Sequence, residues 1–478
     1  MVIRRIDLKT LYEQEEYREA IIFFTSYVED FISKTGERPK YFIKTYGCQM
    51  NEHDSERLRW IFNEIGYGET FDENQSDVIL YNTCLIRENA ENKVFGKIGA
   101  LKHLKKKRPN ITIIMCGCMM EKEELRLRVK EKYSQVDIVF GTNALHRLPL
   151  LLYRHLLGGD FISDEPENGL LVENIGMLPD SPFQSYVNIT YGCNNFCTYC
   201  VVPFTRGREM SRLRGDIISE VEELAKKGTK EVTLLGQNVN SYGNTFENDY
   251  RFADLLTDID KIGIDRIRFM TSHPKDISDR LIECFITLKH LPHYIHLPVQ
   301  SGSNKILKAM NRHYTIEKYL QSIDKLKKAA PDIAISTDII VGFPGETEED
   351  FNATMELSRI VGYDSSFSFI FSKRQGTVAY NMENQISEEV KSERHKRLNS
   401  LLNDISLKKN LEFVGREEEI LVEAQSKSNP DMLTGRTLSN KLVHFRGTSD
   451  MIGKFVVVRI ENAKSFSLEG DFIGVADR

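Results

Sequence analysis

The sequence lacks a long apolar run, and no segment approaches the ~18 residues needed to cross a bilayer. We predict no signal peptide, because the early Arg4 and Arg5 are followed by the acidic residues Glu13, Glu15 and Glu16. A basic excess is also missing. The chain has 64 Lys and Arg against 70 Asp and Glu, which argues against nonspecific nucleic-acid binding by the whole surface. These absences favour a cytoplasmic protein without a membrane segment.

Cysteine is scarce as well. Eight residues in a chain of 478 are too few for a disulfide scaffold, and cysteines of a cytosolic protein more often bind metal, catalyse or fill a core. The composition, with 41% apolar and 28% charged residues, is that of an ordinary globular protein. At roughly 100–200 residues per domain, the length is too great for one core.

The pattern along the chain predicts the α/β fold class, with four parts. We expect a helical extension over residues 1–38 and a doubly wound parallel-sheet domain over 39–160. A partial (β/α) barrel is expected over 180–412, because strand-like and helix-like segments alternate there. Short β-rich pieces separated by turn residues predict a small antiparallel β-barrel over 413–478.

Three cysteines form a tight group with the spacing C-x3-C-x2-C, namely Cys193, Cys197 and Cys200. Three ligands cannot close a tetrahedral zinc site, whereas on a 4Fe–4S cluster they leave one iron open to a small molecule. This spacing, with Tyr199 just before the last cysteine, is similar to the signature of the radical S-adenosylmethionine (SAM) superfamily. A zinc knuckle or chance clustering is the alternative.

Polar, Gly-rich segments follow the predicted strands of the barrel part. In such barrels the active site lies at the carboxyl ends of the strands. The predicted cofactor-binding residues in this part are Tyr199, Gly236, Gln237, Ser272, Gln300 and Asp338. Because Gly and Ser commonly form loops, an ordinary loop is the alternative at each polar segment.

A second set of cysteines lies upstream, where three predicted strands each end at one of them: Cys48, Cys84 and Cys118. The carboxyl ends of strands in a doubly wound sheet lie at one edge, so these thiols can meet in space. Three separate buried thiols are the alternative. Cys116 belongs to its strand and is expected in the core, and Cys284 lies in a helical stretch and is expected to pack there.

Several cationic groups are candidates for contact with RNA. The basic run Lys102–Arg108 is either such a contact or a solvated helix end. Four arginines after the cysteine loop are candidates for contact with RNA or cofactor: Arg206, Arg208, Arg212 and Arg214. In the C-terminal barrel the candidates are Arg436, Lys441, Arg446 and Lys454. Small β-barrels often bind oligonucleotides, although a structural cap is the alternative.

The chain resembles the methylthiotransferase family of radical-SAM enzymes from about residue 39 to the C-terminus. The matching segments are 45–51 (TYGCQMN), 82–84 (NTC), 117–119 (GCM), 191–207, 296–303 (HLPVQSGS) and 341–347 (VGFPGET). The stretch 86–90 (IRENA), with Lys93-Val94-Phe95 beyond it, is similar to the branch that acts on isopentenyl-adenosine in tRNA. The alternative substrates are threonylcarbamoyl-adenosine in tRNA and an aspartate of a ribosomal protein.

The resemblance implies an enzyme with two 4Fe–4S clusters and two SAM molecules, one a methyl donor and one a radical source. It implies that the metal ligands and catalytic residues are Cys48, Cys84, Cys118, Cys193, Cys197 and Cys200. The implied partners are the tRNA anticodon stem-loop, gripped by a C-terminal TRAM domain, an electron donor such as flavodoxin, and a sulfur source. We expect a monomer. An RNA-binding protein with structural metal sites is the non-enzymatic alternative.

Overall fold

A computed structural model of the protein describes residues 4–85, 88–164, 170–427 and 429–476, without the side chains of 88–92. The chain divides into two compact units. The first comprises Met1–Ser181, Tyr186–Asn194 and Val201–Ile217, and the second comprises Pro182–Ser185, Asn195–Cys200 and Ile218–Arg478. Within the described ranges, none of the helices combines the length and apolar character required to cross a membrane.

The first unit is built on a six-stranded parallel sheet. In sheet order its strands are Gly68–Glu69, Lys40–Thr45, Val78–Thr83, Thr112–Gly117, Ile138–Phe140 and Ile162–Ser163. Its helices are Leu8–Tyr12, Glu15–Thr35, Gln49–Glu64, Glu88–Lys107, Glu123–Lys132, Leu148–Leu156 and Val202–Thr205. Successive strand residues such as Ile79 and Leu80 are fully buried in different apolar clusters, because side chains alternate between the two faces of a sheet.

Two details of this unit differ from the sequence prediction. The N-terminal extension is not only helical, since strand Arg4–Asp7 pairs in parallel with Leu170–Glu173. The apolar periodicity of the sequence predicts a helix over residues 55–65, and the observed helix begins earlier, at Gln49, directly after Cys48. Its first turns carry buried polar residues, which give no apolar period for a sequence pattern to detect. A further short pair joins Thr190–Tyr191 and Met210–Ser211.

The second unit contains the predicted βα repeats. Strand Glu231–Leu235 pairs in parallel with Arg266–Phe269, and a second parallel sheet has the order Tyr294–His296, Ala334–Val341, Ser365–Ile370. The helices are Phe252–Asp260, Asp279–Thr287, Asn304–Ala309, Ile316–Ala329, Glu348–Val361 and Glu388–Leu411. Strand Gln184–Asn188 and helix Arg214–Lys226 cross the division between the units. The sequence predicts these five strands over 231–235, 266–270, 294–297, 333–341 and 365–371, and each is observed within a residue of those bounds.

The C-terminal part of the second unit is a closed five-stranded barrel. In barrel order its strands are Glu417–Gln425, Met432–Arg436, Leu442–Arg446, Leu468–Val475 and Phe455–Ala463. Its core consists of alternating apolar residues such as Ile420, Val422 and Phe445. The barrel is not wholly antiparallel, because Leu442–Arg446 and Leu468–Val475 run in parallel.

Candidate functional site

The three upstream cysteines converge at the carboxyl edge of the sheet in the first unit. A Cβ atom added to Gly47 would lie 2.6 Å from Cys84 Cβ, so Cys84 sits against the residue that precedes Cys48. The thiols of Cys48 and Cys118 donate hydrogen bonds to the same acceptor, Asn51 Oδ1, at 3.6 and 3.8 Å. A hydrogen bond from Cys84, acting against burial, lowers the pKa of Cys48 to about 6. These contacts contradict the alternative interpretation of the upstream cysteines as three separate buried thiols.

A buried arginine of the same unit lies beside these thiols. Arg206 Nη2 donates to Asp54 Oδ2 at 3.0 Å and to Asn51 Oδ1 at 3.2 Å. Burial alone would lower the pKa of Arg206, but the Cys118 thiol, the Asp54 carboxylate and the Cys48 thiol hold it well above its usual value. The guanidinium therefore stays charged and favours the thiolate forms of Cys48 and Cys118, although burial outweighs it at Cys118 and raises the pKa of that thiol.

Asn51 links the ends of these strands to the thiols by hydrogen bonds. Its amide nitrogen donates to Thr83 O at 2.9 Å and to Asn82 Oδ1 at 3.2 Å, while its oxygen faces the thiols. Gly117, with φ of 96°, precedes Cys118, and a Cβ there would lie 2.3 Å from Thr83 O. Only glycine tolerates both this conformation and this contact, which brings Cys118 to the edge.

The second cysteine group spans the division between the units, with Cys193 in the first and Cys197 and Cys200 in the second. In the first unit, the Cys193 N–H donates to Gly207 O at 3.1 Å. In the second, the Cys200 N–H donates to Cys197 O at 2.9 Å, which closes a tight turn.

Residues that follow helix Asn304–Ala309 fix this turn in the second unit. The Thr198 N–H donates to Met310 O at 3.1 Å, and Asn311 Nδ2 donates to Phe196 O at 3.0 Å. Arg312 Nη1 lies 3.4 Å from Cys197 Sγ. Arg312 is buried, and although burial acts to lower its pKa, Tyr314, Tyr199 and Cys197 hold the pKa well above the usual value.

The predicted cofactor-binding residues all belong to the second unit. Gly236 and Gln237 follow strand Glu231–Leu235, and Ser272 follows strand Arg266–Phe269. The Gln300 N–H donates to Asp338 O at 2.9 Å, and the Asp338 carboxylate lies 3.5 Å from His296 Nε2. Tyr199 packs against the apolar cluster that contains Ile306, Met310, Phe343, Phe371 and Ala379.

Several buried polar atoms after these strands lack a hydrogen-bond partner among the described residues: Asn238 Oδ1, both amide atoms of Asn240, Ser272 Oγ and His273 Nε2. His273 Nδ1 accepts from the Lys275 N–H, and burial together with Arg312 pushes the pKa of His273 far below its usual value. The ring is therefore neutral and its proton is on Nε2. Buried polar atoms are normally paired, so this set has the capacity to bind a polar ligand.

Within the described ranges no three His, Cys, Asp or Glu side chains form a group that could hold a single metal ion. A four-iron cluster places a different requirement on its ligands. Each thiolate binds a different iron, so the sulfur atoms lie farther apart than those around one zinc ion. The donor set of three cysteines and an adjacent cation fits such a cluster.

Comparison with known proteins follows the same division of the sequence. The Radical SAM superfamily matches residues 187–358, uncharacterized protein family UPF0004 matches 40–141, and the TRAM domain matches 411–473. The tRNA-2-methylthio-N(6)-dimethylallyladenosine synthase of Alkaliphilus oremlandii (strain OhILAs) is 52% identical over 92% of this chain and 94% of its own length. The chain belongs to this synthase family. The synthase of Bacillus subtilis (strain 168) is 48% identical over 96% of this chain and 91% of its own length.

Solved structures agree on the fold. The radical SAM methyltransferase TsrM from Kitasatospora setae, with tryptophan and a SAM analogue bound, matches with a TM-score of 0.52 and 12% identity over 69% of this chain and 72% of that one. Family membership confirms the predicted α/β class, an enzyme of the radical-SAM methylthiotransferase type, and its use of 4Fe–4S clusters and SAM. It also supports binding of tRNA.

The structure corrects two of the cationic candidates. Arg212 is buried and donates to Glu173 Oε2 at 2.8 Å, and Lys441 is buried and donates to Asp364 O at 2.9 Å. Neither side chain is exposed to RNA, because each is used inside its own unit, so the predicted RNA contacts of these two residues are wrong. The alternative contact of Arg212 with a cofactor stays a prediction. In the basic run, Lys105 pairs with a carboxylate at 2.7 Å, as a structural helix end would.

For the other cationic candidates, contact with RNA stays a prediction. Arg208, Arg214 and Arg446 are exposed. Arg436 lies 3.4 Å from a carboxylate of Glu423, and exposed Lys454 lies 3.3 Å from one of Asp450. Residues 86 and 87 of the substrate-branch stretch 86–90, and the side chains of 88–92, lie outside the described residues. Cys116 is fully buried in its strand and Cys284 is 4% exposed in its helix, which confirms both as packing residues.

The sequence analysis gave no role to Asn51, Asp54 or Arg312. Asn51 and Asp54 are three residues apart at the start of a helix, and this spacing of polar residues after Cys48 could have indicated a polar helix face toward the thiols. Arg312 lies in the connection between two helices, where no periodic pattern points to a contact with Cys197.

Proposed function

We propose that this protein methylthiolates carbon 2 of N6-isopentenyladenosine next to the anticodon of tRNA, using two 4Fe–4S clusters and two SAM molecules. The observation that carries the proposal is the convergence of three cysteines in a chain that also has a radical-SAM cysteine loop. Cys48 and Cys118 both bond to Asn51, and Cys84 bonds to Cys48. Relatives named for this reaction, matched along almost the whole chain, support the substrate.

In this proposal, Cys48, Cys84 and Cys118 hold one cluster and Cys193, Cys197 and Cys200 hold the other. The clusters and SAM, when bound, supply the radical that removes hydrogen from carbon 2, and the sulfur and methyl group that replace it. The chain's own residues bind and orient these groups. Arg206 and Arg312 compensate the charge of the thiolates, and the unpartnered polar atoms of Asn238, Ser272 and His273 are donors and acceptors for SAM.

The C-terminal barrel is proposed to grip the anticodon stem-loop, through Arg436, Arg446 and Lys454. Its match to the TRAM domain supports this role. A target base must leave its stack before a radical can reach carbon 2, which costs little for a base in a loop. We further propose an external electron donor such as flavodoxin, a separate sulfur source, a monomeric state, and the cytoplasm as the compartment in which the tRNA is modified.

Iron analysis after anaerobic reconstitution tests the ligands. Replacing Cys193, Cys197 and Cys200 together by Ala leaves about four irons per chain, because one four-iron cluster remains. The matched control Cys284→Ala retains about eight irons, the content of two such clusters. If Cys116→Ala loses a cluster, the assignment of Cys118 is overturned.

Mass spectrometry of nucleosides tests the substrate. Purified enzyme is expected to methylthiolate tRNA that carries the isopentenyl group and to leave unmodified or threonylcarbamoylated tRNA unchanged. Equal labelling of a ribosomal protein contradicts the proposal.

A truncation that ends at Phe413 tests the barrel. It should keep both clusters and cleave SAM slowly, yet bind the stem-loop more weakly. Its plot of log affinity against log salt should be shallower, by about 0.7–0.9 for each lost phosphate contact. Unchanged affinity identifies the barrel as a structural cap.

A further inference from the structure

Two phenylalanines on one strand of the second unit are exposed on the sheet face that its neighbouring helix does not cover. In strand Ser365–Ile370, Ser368 Oγ bonds to His395 Nε2 at 3.0 Å, so this face is covered by helix Glu388–Leu411. Side chains alternate along a strand, and Phe367 and Phe369 therefore lie on the opposite face. They are 55% and 40% exposed. Neighbouring exposed aromatic residues on the uncovered face of a sheet indicate a surface that binds a ligand or partner.

The neighbours of these rings combine polar and apolar groups. The register places Phe367 beside Asp338 and Phe369 beside Ile340 on the adjacent strand. The ring of His296 lies 6.4 Å from that of Phe367, and its Nε2 lies 3.5 Å from the Asp338 carboxylate. The strand is at the edge of its sheet among the described residues. The two rings are thus flanked by hydrogen-bonding groups and open on one side.

The same face is continuous with the cysteine turn of this unit. Ile340 packs against the apolar cluster of Phe343 and Phe371, and so does Tyr199, which precedes Cys200. A group lying on Phe369 is therefore next to the side chains that support the turn. A planar, partly apolar substrate that must approach a radical centre would be placed there.

We propose that Phe367 and Phe369 are the platform on which the isopentenylated adenine of tRNA stacks. This inference rests on the proposed function. An unstacked base needs a new stacking partner, and aromatic side chains supply it in proteins that bind single-stranded RNA. Residues two apart on a strand are about 6.6 Å apart, so one ring can lie under the purine while the other contacts the isopentenyl tail. Asp338 and His296 are within reach of the edge of the base.

The test uses reconstituted holoenzyme and two synthetic anticodon stem-loops that differ only in the isopentenyl group. Fluorescence anisotropy gives the affinity for each. Phe367→Ala should weaken binding of the isopentenylated stem-loop by roughly 5- to 150-fold, the usual effect of losing one stacking contact. Phe369→Ala should bring the affinity ratio of the two stem-loops toward one. Phe367→Tyr, which keeps the ring, should retain most of the affinity.

Two readouts separate this role from a structural one. Iron content and slow SAM cleavage without RNA should be unchanged in Phe367→Ala and Phe369→Ala, while KM for the isopentenylated tRNA rises. Phe71→Ala is the matched control, because Phe71 is 90% exposed and belongs to the first unit.

Wild-type affinity of both variants for both stem-loops overturns the platform, and so does a loss of affinity that is accompanied by loss of iron. Binding of an apolar peptide in place of the stem-loop also overturns it. Failure of the proposed function is distinguishable, because it appears in the wild-type enzyme as equal affinity for the two stem-loops and no methylthiolation.

Discussion

The hydrogen bond from Arg312 to Cys197 predicts the redox behaviour of the proposed radical-SAM cluster. Arg312 Nη1 lies 3.4 Å from the sulfur, and Nη2 donates to Pro298 O at 3.0 Å, which fixes the guanidinium. A hydrogen bond to a charged group contributes about 1.5–3 kcal/mol. For a one-electron couple, about 1.4 kcal/mol corresponds to 59 mV, so the whole bond is equivalent to about 65–130 mV.

Only part of that energy depends on the redox state. The sulfur accepts the bond in both states, and more strongly in the reduced, more negative one. We expect Arg312→Gln to lower the midpoint potential by about half the bond energy, or about 30–60 mV. Arg312→Lys keeps the positive charge and should lower the midpoint potential by less than Arg312→Gln does.

The measurement is a redox titration followed by electron paramagnetic resonance. It is made in a background with Cys48, Cys84 and Cys118 replaced by Ala, so that one cluster gives the signal. The matched control is Lys308→Gln, which removes an exposed cation from the neighbouring helix. Charges in water are screened, so this variant should keep the original potential. If Arg312→Gln and Lys308→Gln have the same potential, the reasoning is refuted.

Three further predictions concern other parts of the chain. Gly117→Ala should lose about four irons, the content of one cluster, because the added Cβ would lie 2.3 Å from the backbone of Thr83. The control Gly96→Ala has open space around the added Cβ and should keep all its iron. Equal iron content in the two variants contradicts the prediction. Burial raises the pKa of Cys284 to about 11, so peptide mass spectrometry should find its thiol unalkylated at pH 8. The contribution of the protonated thiol to the free energy of unfolding should fall as the pH rises from about 9 through 11. Arg268→Met should lower the unfolding free energy by about 3 kcal/mol in urea titrations. It removes the nearest cation of the buried Glu231 carboxylate, at 2.8 Å, and leaves Arg266 at 3.8 Å and the amide of Gln184. Adding Glu231→Gln should recover part of the loss, and strict additivity of the two changes would contradict the pairing.

The sequence predicts the framework of the molecule because its signals are local. Cys48, Cys84 and Cys118 follow buried apolar strands, and parallel strands end at one edge, so their meeting could be predicted. In the barrel the sequence predicts strands over 419–424, 441–445, 455–459 and 472–475, but not strand Met432–Arg436, because Gly435 weakens a strand pattern. The structure shows why glycine is there, since a Cβ at this position would lie 2.3 Å from Leu421 O of the paired strand.

The contacts that tune the site could not be predicted, because they join residues far apart in the sequence. Arg206 meets Asn51 across 155 positions, and Arg312 meets Cys197 across 115. Arg212 and Lys441 are predictions that failed for the same reason. Both are cations in basic surroundings of the sequence, yet each is buried by a distant partner, Glu173 or Asp364, that no local pattern reveals.

The surroundings of Arg312 bear on the charge of the cysteine beside it. Burying a guanidinium without compensation is costly, and buried charges are normally paired. Among the described residues the side chain donates to Pro298 O, to the Tyr314 hydroxyl and to Cys197 Sγ, and none of these partners is a carboxylate. Two of the three are neutral at physiological pH, since burial raises the pKa of Tyr314. Cys197 is the partner that would supply negative charge as a cluster ligand, because a cysteine that binds a cluster does so as the thiolate.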